Sequence, residues 1–377
     1  MTNPLCELLK AGQSVWYDQM QRSLLSGGEL KKMIKDDCLR GLTSNPTIFE
    51  KAIGGSTDYD ELIRAMASKQ KSTEEIYEAV IVDDLGQAAD IFRSVYDNSG
   101  GMDGFVSLEV NPTLARNAWG SIEEGLKYRR KLDRPNVMIK IPATSQGLIA
   151  IEELTSAGVN VNITLIFSQA VYRKVIDAFM RGLERRADRG EPVGEISSVA
   201  SFFVSRIDAK ADGQIEKRIS TATSEEEKSS LKALLGKIAI ANAKVAYQIF
   251  KEEFGSARFK KLQDRGATLQ RPLWASTGTK NKNYSDVLYI EQLIGPDTVN
   301  TIPPATFTAF RDHGKVIATL EDDVQGAINT LKEFAALGFS LDDITSELTE
   351  EGVESFSKSF ASLLATIEGR VSAAMAK

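Results

Sequence analysis

Lys140 stands in the middle of Val137-Met-Ile-Lys-Ile-Pro-Ala-Thr144, an otherwise apolar run with the composition of a strand. Lysine is seldom kept in such a place, because a buried ammonium is costly unless it is paired or loses its proton. A lysine without its proton is an amine nucleophile, able to form a Schiff base with a carbonyl compound. The other reading is a strand-borne lysine held in a structural ion pair, since such pairs also perturb lysines. On Lys140 alone the two readings stand level.

Further polar residues fall at the ends of other strand-like runs. Asp18 closes Ser14-Val-Trp-Tyr-Asp18, and Glu109 comes late in Phe105-Val-Ser-Leu-Glu109. Thr43-Ser-Asn-Pro46 follows Leu39–Thr43, Asn162 and Thr164 lie in Val159–Leu165, and Ser201 lies in Ser198–Val204 with Arg206 just beyond. Ser276 closes Pro272–Ser276. Taken singly, each has a structural reading: a helix cap or turn for an aspartate, a surface position for a glutamate, a core hydrogen bond for an asparagine or threonine. Taken together they supply a nucleophile, acid/base partners and hydrogen-bonding groups for a polyol. The amine attacks a ketone and water leaves with acid assistance. The iminium then weakens the neighbouring C–C bond once a base removes a hydroxyl proton. Glu109 suits proton transfer through a water during Schiff-base formation, and Asp18 suits the base in C–C cleavage.

Such residues need a scaffold that turns every strand end toward one mouth. With Val137–Ile141 and Thr298–Ile302, the runs number eight and alternate with helix-patterned segments. That alternation predicts a closed (β/α)8 barrel, whose strand C-termini carry the site. Leu85, Ala88, Ala89, Phe92 and Tyr96 form one helix face, and Ser72-x-x-Glu75 reads as a capping box before them. Ser145–Ala157 and Ser168–Gly182 follow the fourth and fifth runs as helices. The connection 46–104 has room for at least two helices. The connection 206–271 carries the solvated start Ser224-Glu-Glu-Glu-Lys228, then a long helix with Leu234, Ile238, Ala241, Val245 and Ile249 on one face. Residues 304–377 read as helices only, among them Gln325–Phe334 and Val353–Met375. With no linker or repeat, 1–377 reads as a single domain and 304–377 as a helical appendage within it. No G-x-G-x-x-G follows the first strand, which weakens a dinucleotide-binding alternative.

Composition bounds the function. A chain of 377 residues with 42% hydrophobic and 26% charged residues supports a large core. Net charge of −6 and a pI near 5.3 argue against nucleic acid as a partner, though not against an anionic substrate. The single histidine, His313, leaves no multi-histidine metal site and no Ser-His-Asp triad, and reads as a surface or helix-end residue. Cys6 and Cys38 cannot make a disulfide framework. They read as structural or incidental in a reducing compartment. No run is long and apolar enough for a membrane span, and the N-terminus lacks a signal-peptide pattern. The expectation is a cytoplasmic protein, monomer or homodimer, with neither nucleic acid nor membrane as a partner.

Six segments, taken in order, strongly resemble the transaldolase family. They are Ser14–Asp18, Gly41-Leu-Thr-Ser-Asn-Pro46, Val106-Ser-Leu-Glu109, Met138-Ile-Lys-Ile-Pro-Ala-Thr144, Asn160–Ser168 and Ser201-Phe-Phe-Val-Ser-Arg-Ile207. Each is weak alone, but the ordered set is specific, and the likeness runs from about Ser14 to Ile302. It implies a (β/α)8 barrel with no metal and no organic cofactor. Lys140 would be the Schiff-base lysine, and Asp18 and Glu109 the acid/base carboxylates. Thr43, Asn45, Asn162, Thr164 and Ser201 would bond the bound unit or support the site, with Phe203 beside it and Arg206 on phosphate. The implied reaction moves a dihydroxyacetone unit in the pentose phosphate pathway. The donor is a ketose phosphate (sedoheptulose 7-phosphate or fructose 6-phosphate), and the acceptor an aldose phosphate (glyceraldehyde 3-phosphate or erythrose 4-phosphate).

The seventh strand departs from shorter family members, which carry an arginine two residues after the serine matching Ser276. Gly278 stands there, and Lys280 is the candidate replacement, with Thr277, Thr279 or backbone amides helping. The long 206–271 connection resembles a longer bacterial type of transaldolase. Two rivals remain. Smaller lyase relatives, such as fructose-6-phosphate aldolase, release free dihydroxyacetone, but carry glutamine and tyrosine at the positions of Glu109 and Phe203. A sugar-phosphate binding protein without catalysis would be expected to lack the lysine or a carboxylate.

Overall fold

The computed structural model describes residues 3–375. Eight parallel strands close into a barrel in chain order. Helix α1 (Pro4–Lys10) precedes β1 (Gln13–Asp18), and α2 (Arg22–Ser26) and α3 (Glu29–Asp36) lead to β2 (Gly41–Thr43). The next connection holds α4 (Pro46–Gly55), α5 (Asp60–Ala67) and α6 (Thr73–Asn98), one helix more than the minimum expected, before β3 (Phe105–Glu109). Then α7 (Ala118–Leu132), β4 (Val137–Pro142), α8 (Ser145–Ser156), β5 (Val161–Ile166), α9 (Gln169–Asp188) and β6 (Ser198–Phe203) alternate regularly. The Ser72–Glu75 capping box forms at the start of α6, with bonds of 3.2 and 2.9 Å. Leu85, Ala88, Ala89 and Phe92 are buried on its inner face.

In the 206–271 connection the charged run does begin a helix, solvated and capped by Ser224, but Leu234 does not belong to the long helix that follows. The connection holds α10 (Ser205–Thr221), α11 (Glu225–Leu234), α12 (Ile238–Phe254) and α13 (Ala257–Gln263). Leu234 and Ile238 therefore belong to different helices. Gly236, at φ +70°, breaks the run between them, a backbone state that side-chain-bearing residues seldom adopt. After β7 (Gln270–Ala275) come α14 (Leu288–Glu291) and β8 (Thr298–Ile302), which pairs with β1 from Gln13↔Thr298 to Tyr17↔Ile302 and closes the barrel. The chain continues through α15 (Pro304–His313), α16 (Val324–Ala336) and the 35-residue α17 (Leu341–Met375), all helical as expected.

Helix α17 lies against α4, α5, α6 and α10. Thr47 donates to Ser359 at 2.8 Å, Ser362 donates to Glu50 at 2.6 Å, and Arg370 pairs with Asp60 at 2.6 Å. Trp16 and Trp274 are fully buried in the barrel wall, as their position in the strands leads one to expect. No helix of the described residues is long and apolar enough to cross a membrane.

The cysteines depart from the expectation of a reduced pair: Cys6 and Cys38 form a disulfide. Asn3 explains how they meet. Its side-chain amide donates to Asp36 O at 2.9 Å and to Asp37 Oδ1 at 2.8 Å, which fixes the start of α1 against the turn between α3 and β2. The bond closes a loop with a sequence separation of 32. Chain-entropy reasoning sets its contribution at about 3–4 kcal/mol. Reduction is expected to lower the thermal midpoint by several degrees, and Cys38→Ser should melt at that lower temperature with or without reductant. Melting curves unchanged by reductant would show that the bond contributes nothing.

Candidate active site

The barrel register puts the central residues in one layer. Lys140 on β4 is paired with Glu109 on β3 and with Asn162 on β5, so the three side chains leave the sheet on the same face. Lys140 and Glu109 are each about 5% exposed, and Lys140 Nζ lies 3.5 Å from Glu109 Oε2. Lys140 Nζ also donates to Ser44 O at 3.2 Å. A ring of hydrogen bonds fixes that surrounding: Ser44 donates to Ser107 O at 2.8 Å, Asn162 Nδ2 to Ser107 Oγ at 3.0 Å, and Ser201 Oγ to Asn162 Oδ1 at 2.7 Å. Ser44 O and Glu109 Oε2 both face the lysine nitrogen, the first within hydrogen-bond distance and the second as the nearest carboxylate oxygen.

Burial pushes the Glu109 carboxyl up to about 7, against the pull of Lys140 beside it and with a push from Asp18. Asp18 is also raised, again by burial, while Lys140, Thr43, Arg206 and Lys280 oppose the rise. Its Oδ1 accepts the Thr43 hydroxyl at 2.6 Å. Since that proton is committed, Thr301, whose hydroxyl lies 2.6 Å from Thr43 Oγ1, is the donor in their contact.

A cavity of about 430 Å³ opens over these strand ends, a size suited to a small polar substrate. Of the residues singled out from the sequence, Asp18, Thr43, Asn45, Lys140, Thr164, Ser201, Phe203, Arg206, Ser276 and Lys280 line it. Glu109 and Asn162 do not reach the wall; each touches a residue that does. Asn45 has a second task, for its Oδ1 caps α4 by accepting from Ile48 N at 3.0 Å, which leaves its amide nitrogen for a ligand. Thr164 Oγ1 is buried without a hydrogen-bond partner. Arg206 stacks over Phe203 with its guanidinium carbon 5.1 Å from the ring centre. Ser276 lies just past β7 rather than closing it, in the left-handed region at φ +55°, and meets Ser205 at 3.0 Å between hydroxyls.

The connection after β7 is braced to α10. Tyr284 donates to Asp212 at 2.8 Å and Tyr289 to Asp208 at 3.0 Å. The same two carboxylates accept Gly236 N at 3.0 Å and Ala239 N at 2.7 Å, holding the start of α12. Burial pushes Asp208 up to about 7. Arg206 precedes Asp208 on α10, and Lys280 precedes Tyr284, so the brace ties together the two segments that carry these cations.

Gly278 lies two residues after Ser276 on the cavity wall. A Cβ built there would lie 3.2 Å from Thr306 Oγ1 and 3.5 Å from Pro303 Cγ, a tight fit for the first side-chain carbon. His313 is exposed at the end of α15, 3.0 Å from Asp286 and 3.2 Å from Asp312, and lies outside the cavity. The sequence reading missed Lys51 and Thr47 of α4, Thr301, and Ser355 and Phe356 of α17, which also line the cavity. For α4 a signal existed. Asn45-Pro46 marks a helix start at the mouth, and Thr47, Ile48 and Lys51 then share one face. For Ser355 and Phe356 there was none, since nothing in the strands announces which late helix folds back.

Comparison with known proteins agrees with this geometry. A family model described as Transaldolase/Fructose-6-phosphate aldolase matches residues 15–367. The chain is 44% identical over 373 residues to a Trichodesmium erythraeum protein named Transaldolase, covering 98% of each chain. It is 45% identical over 374 residues to Transaldolase 2 of Nostoc punctiforme and 43% identical over 372 residues to Transaldolase 2 of Streptomyces coelicolor, again over 98% of each.

Proposed function

Because the chain belongs to the transaldolase/fructose-6-phosphate aldolase family, we propose that it acts as a transaldolase on sugar phosphates through a Schiff base on Lys140. The Lys140 amine attacks the C2 ketone of the donor, and Glu109, whose hold on a proton is raised, takes up and returns the protons moved as water leaves. The iminium draws electrons from the C3–C4 bond. Asp18 removes the C4 hydroxyl proton, the bond breaks, and the aldose phosphate departs. An enamine of dihydroxyacetone stays on Lys140 until its carbon attacks the aldehyde of the acceptor, with Asp18 returning the proton. Water then adds to the new iminium and frees the amine. Thr43, Asn45, Asn162, Thr164 and Ser201 orient the three-carbon unit directly or through one another. Arg206, Lys280 and Ser276 take the phosphate.

The observation that carries this reading is Lys140 buried at the cavity wall with Glu109 3.5 Å away. Glutamine, which the lyase relatives carry there, could not accept that proton. The experiment is glyceraldehyde 3-phosphate release from fructose 6-phosphate, with and without erythrose 4-phosphate. Release that depends on the acceptor is expected. Equal release without it would mean a lyase, and none in either case would favour a binding protein. We further read residues 1–377 as one domain, with 304–377 an appendage that contributes Ser355 and Phe356 to the cavity.

A further inference from the structure

Three cations meet at the rim of the cavity from three different elements: Lys51 from α4, Arg206 from the start of α10, and Lys280 from the loop after β7. Neighbouring cations have partners, Lys210 with Glu347 and Glu351, and Arg370 with Asp60. Arg206, Lys51 and Lys280 have no carboxylate within 4.0 Å among the described residues. Asp18, deeper in the cavity, is bonded to Thr43. The three lie close enough to disturb one another, since Lys280 is held below the ordinary lysine range first by partial burial and then by Arg206 and Lys51. Asp18 and, for Arg206, Glu109 and Glu351 act on this group only from beyond ion-pair distance, so three like charges held together leave room for an anion between them. Lys51 is not there by chance mobility of its helix. Asn45 caps α4, and Thr47 and Glu50 fasten it to α17, so its backbone is fixed toward the mouth.

We propose that Lys51 is a specificity-determining residue that completes, with Arg206 and Lys280, a three-cation clamp for the terminal phosphate of the sugar substrate. It supplies from the α4 side the charge that Gly278 cannot. A phosphate carries close to two negative charges, and a lysine offers it a point charge that needs no fixed orientation. This inference rests on the transaldolase reading of the site.

The test is steady-state kinetics on wild type, Lys51→Met and Lys51→Arg with fructose 6-phosphate and erythrose 4-phosphate, with inorganic phosphate as inhibitor. Lys51 is exposed, so both variants should melt with wild type. Lys51→Met is expected to raise KM for fructose 6-phosphate about tenfold, with a much smaller change in kcat, and to weaken inhibition by inorganic phosphate in parallel. Lys51→Arg should recover most of both. A folded Lys51→Met with unchanged KM and unchanged phosphate inhibition would overturn the proposal, as would a fall in kcat alone. If wild type shows no turnover, the reading of function fails. Calorimetric titration of wild type and Lys51→Met with inorganic phosphate then decides the clamp by itself, with binding lost in the variant supporting it and equal binding refuting it.

Discussion

Lys140→Ala is expected to form no borohydride-stable adduct with fructose 6-phosphate and to lose activity by a factor on the order of 10⁴ or more. The size of the effect follows from the mechanism: without the amine there is no iminium, and neither carboxylate can substitute as electron sink. The variant should remain folded, because Glu109, already raised by burial, stays protonated and neutral once its partner is gone. Intact-mass spectra after borohydride treatment, taken beside a circular dichroism spectrum, check both halves. A folded variant with full activity would sink the Schiff-base mechanism.

The second large effect is expected at Glu109. The carboxyl sits near 7 in the folded protein. Below that pH it is neutral and cannot take the proton released by Lys140; above it the carboxylate can. Wild-type kcat/KM should therefore rise with pH through an acid limb near 7. Glu109→Gln removes the titrating group, so the limb should disappear and the rate fall by roughly 10²–10⁴-fold. A Glu109→Gln variant that kept the wild-type rate and the same limb would assign the proton transfer to another residue, with Asp18 the first to examine.

Much of this site was legible in the chain because strands and charges conflict there. A lysine or glutamate inside an apolar β-run is a local inconsistency, and both such inconsistencies, Lys140 and Glu109, fall in one layer of the barrel. The strand runs were equally plain, although β2 begins at Gly41 and β7 two residues before Pro272, because apolar runs mark burial rather than ladder hydrogen bonds. Elsewhere the information lies between elements. The break at Gly236 was hidden by an apolar stripe that continues in phase from α11 into α12. Lys51 is an ordinary exposed helical lysine until α4 is seen against Arg206 and Lys280. The Cys6–Cys38 bond depends on where Asn3 docks α1, which the spacing of two cysteines cannot state.

The helix α17 bears on how the molecule can be made. Its Ser355 and Phe356 complete a cavity whose other walls come from strands as early as β1, and β1 itself finds its closing partner only when β8 has appeared. During synthesis, β1 therefore presents an unpaired edge while almost three hundred residues are added, and long-lived edges of this kind invite association with other chains. The cavity is complete only when α17 has folded back onto the first-made strands, so an extension bulky enough to hinder α17 is expected to delay the appearance of active protein more than the folding of the barrel.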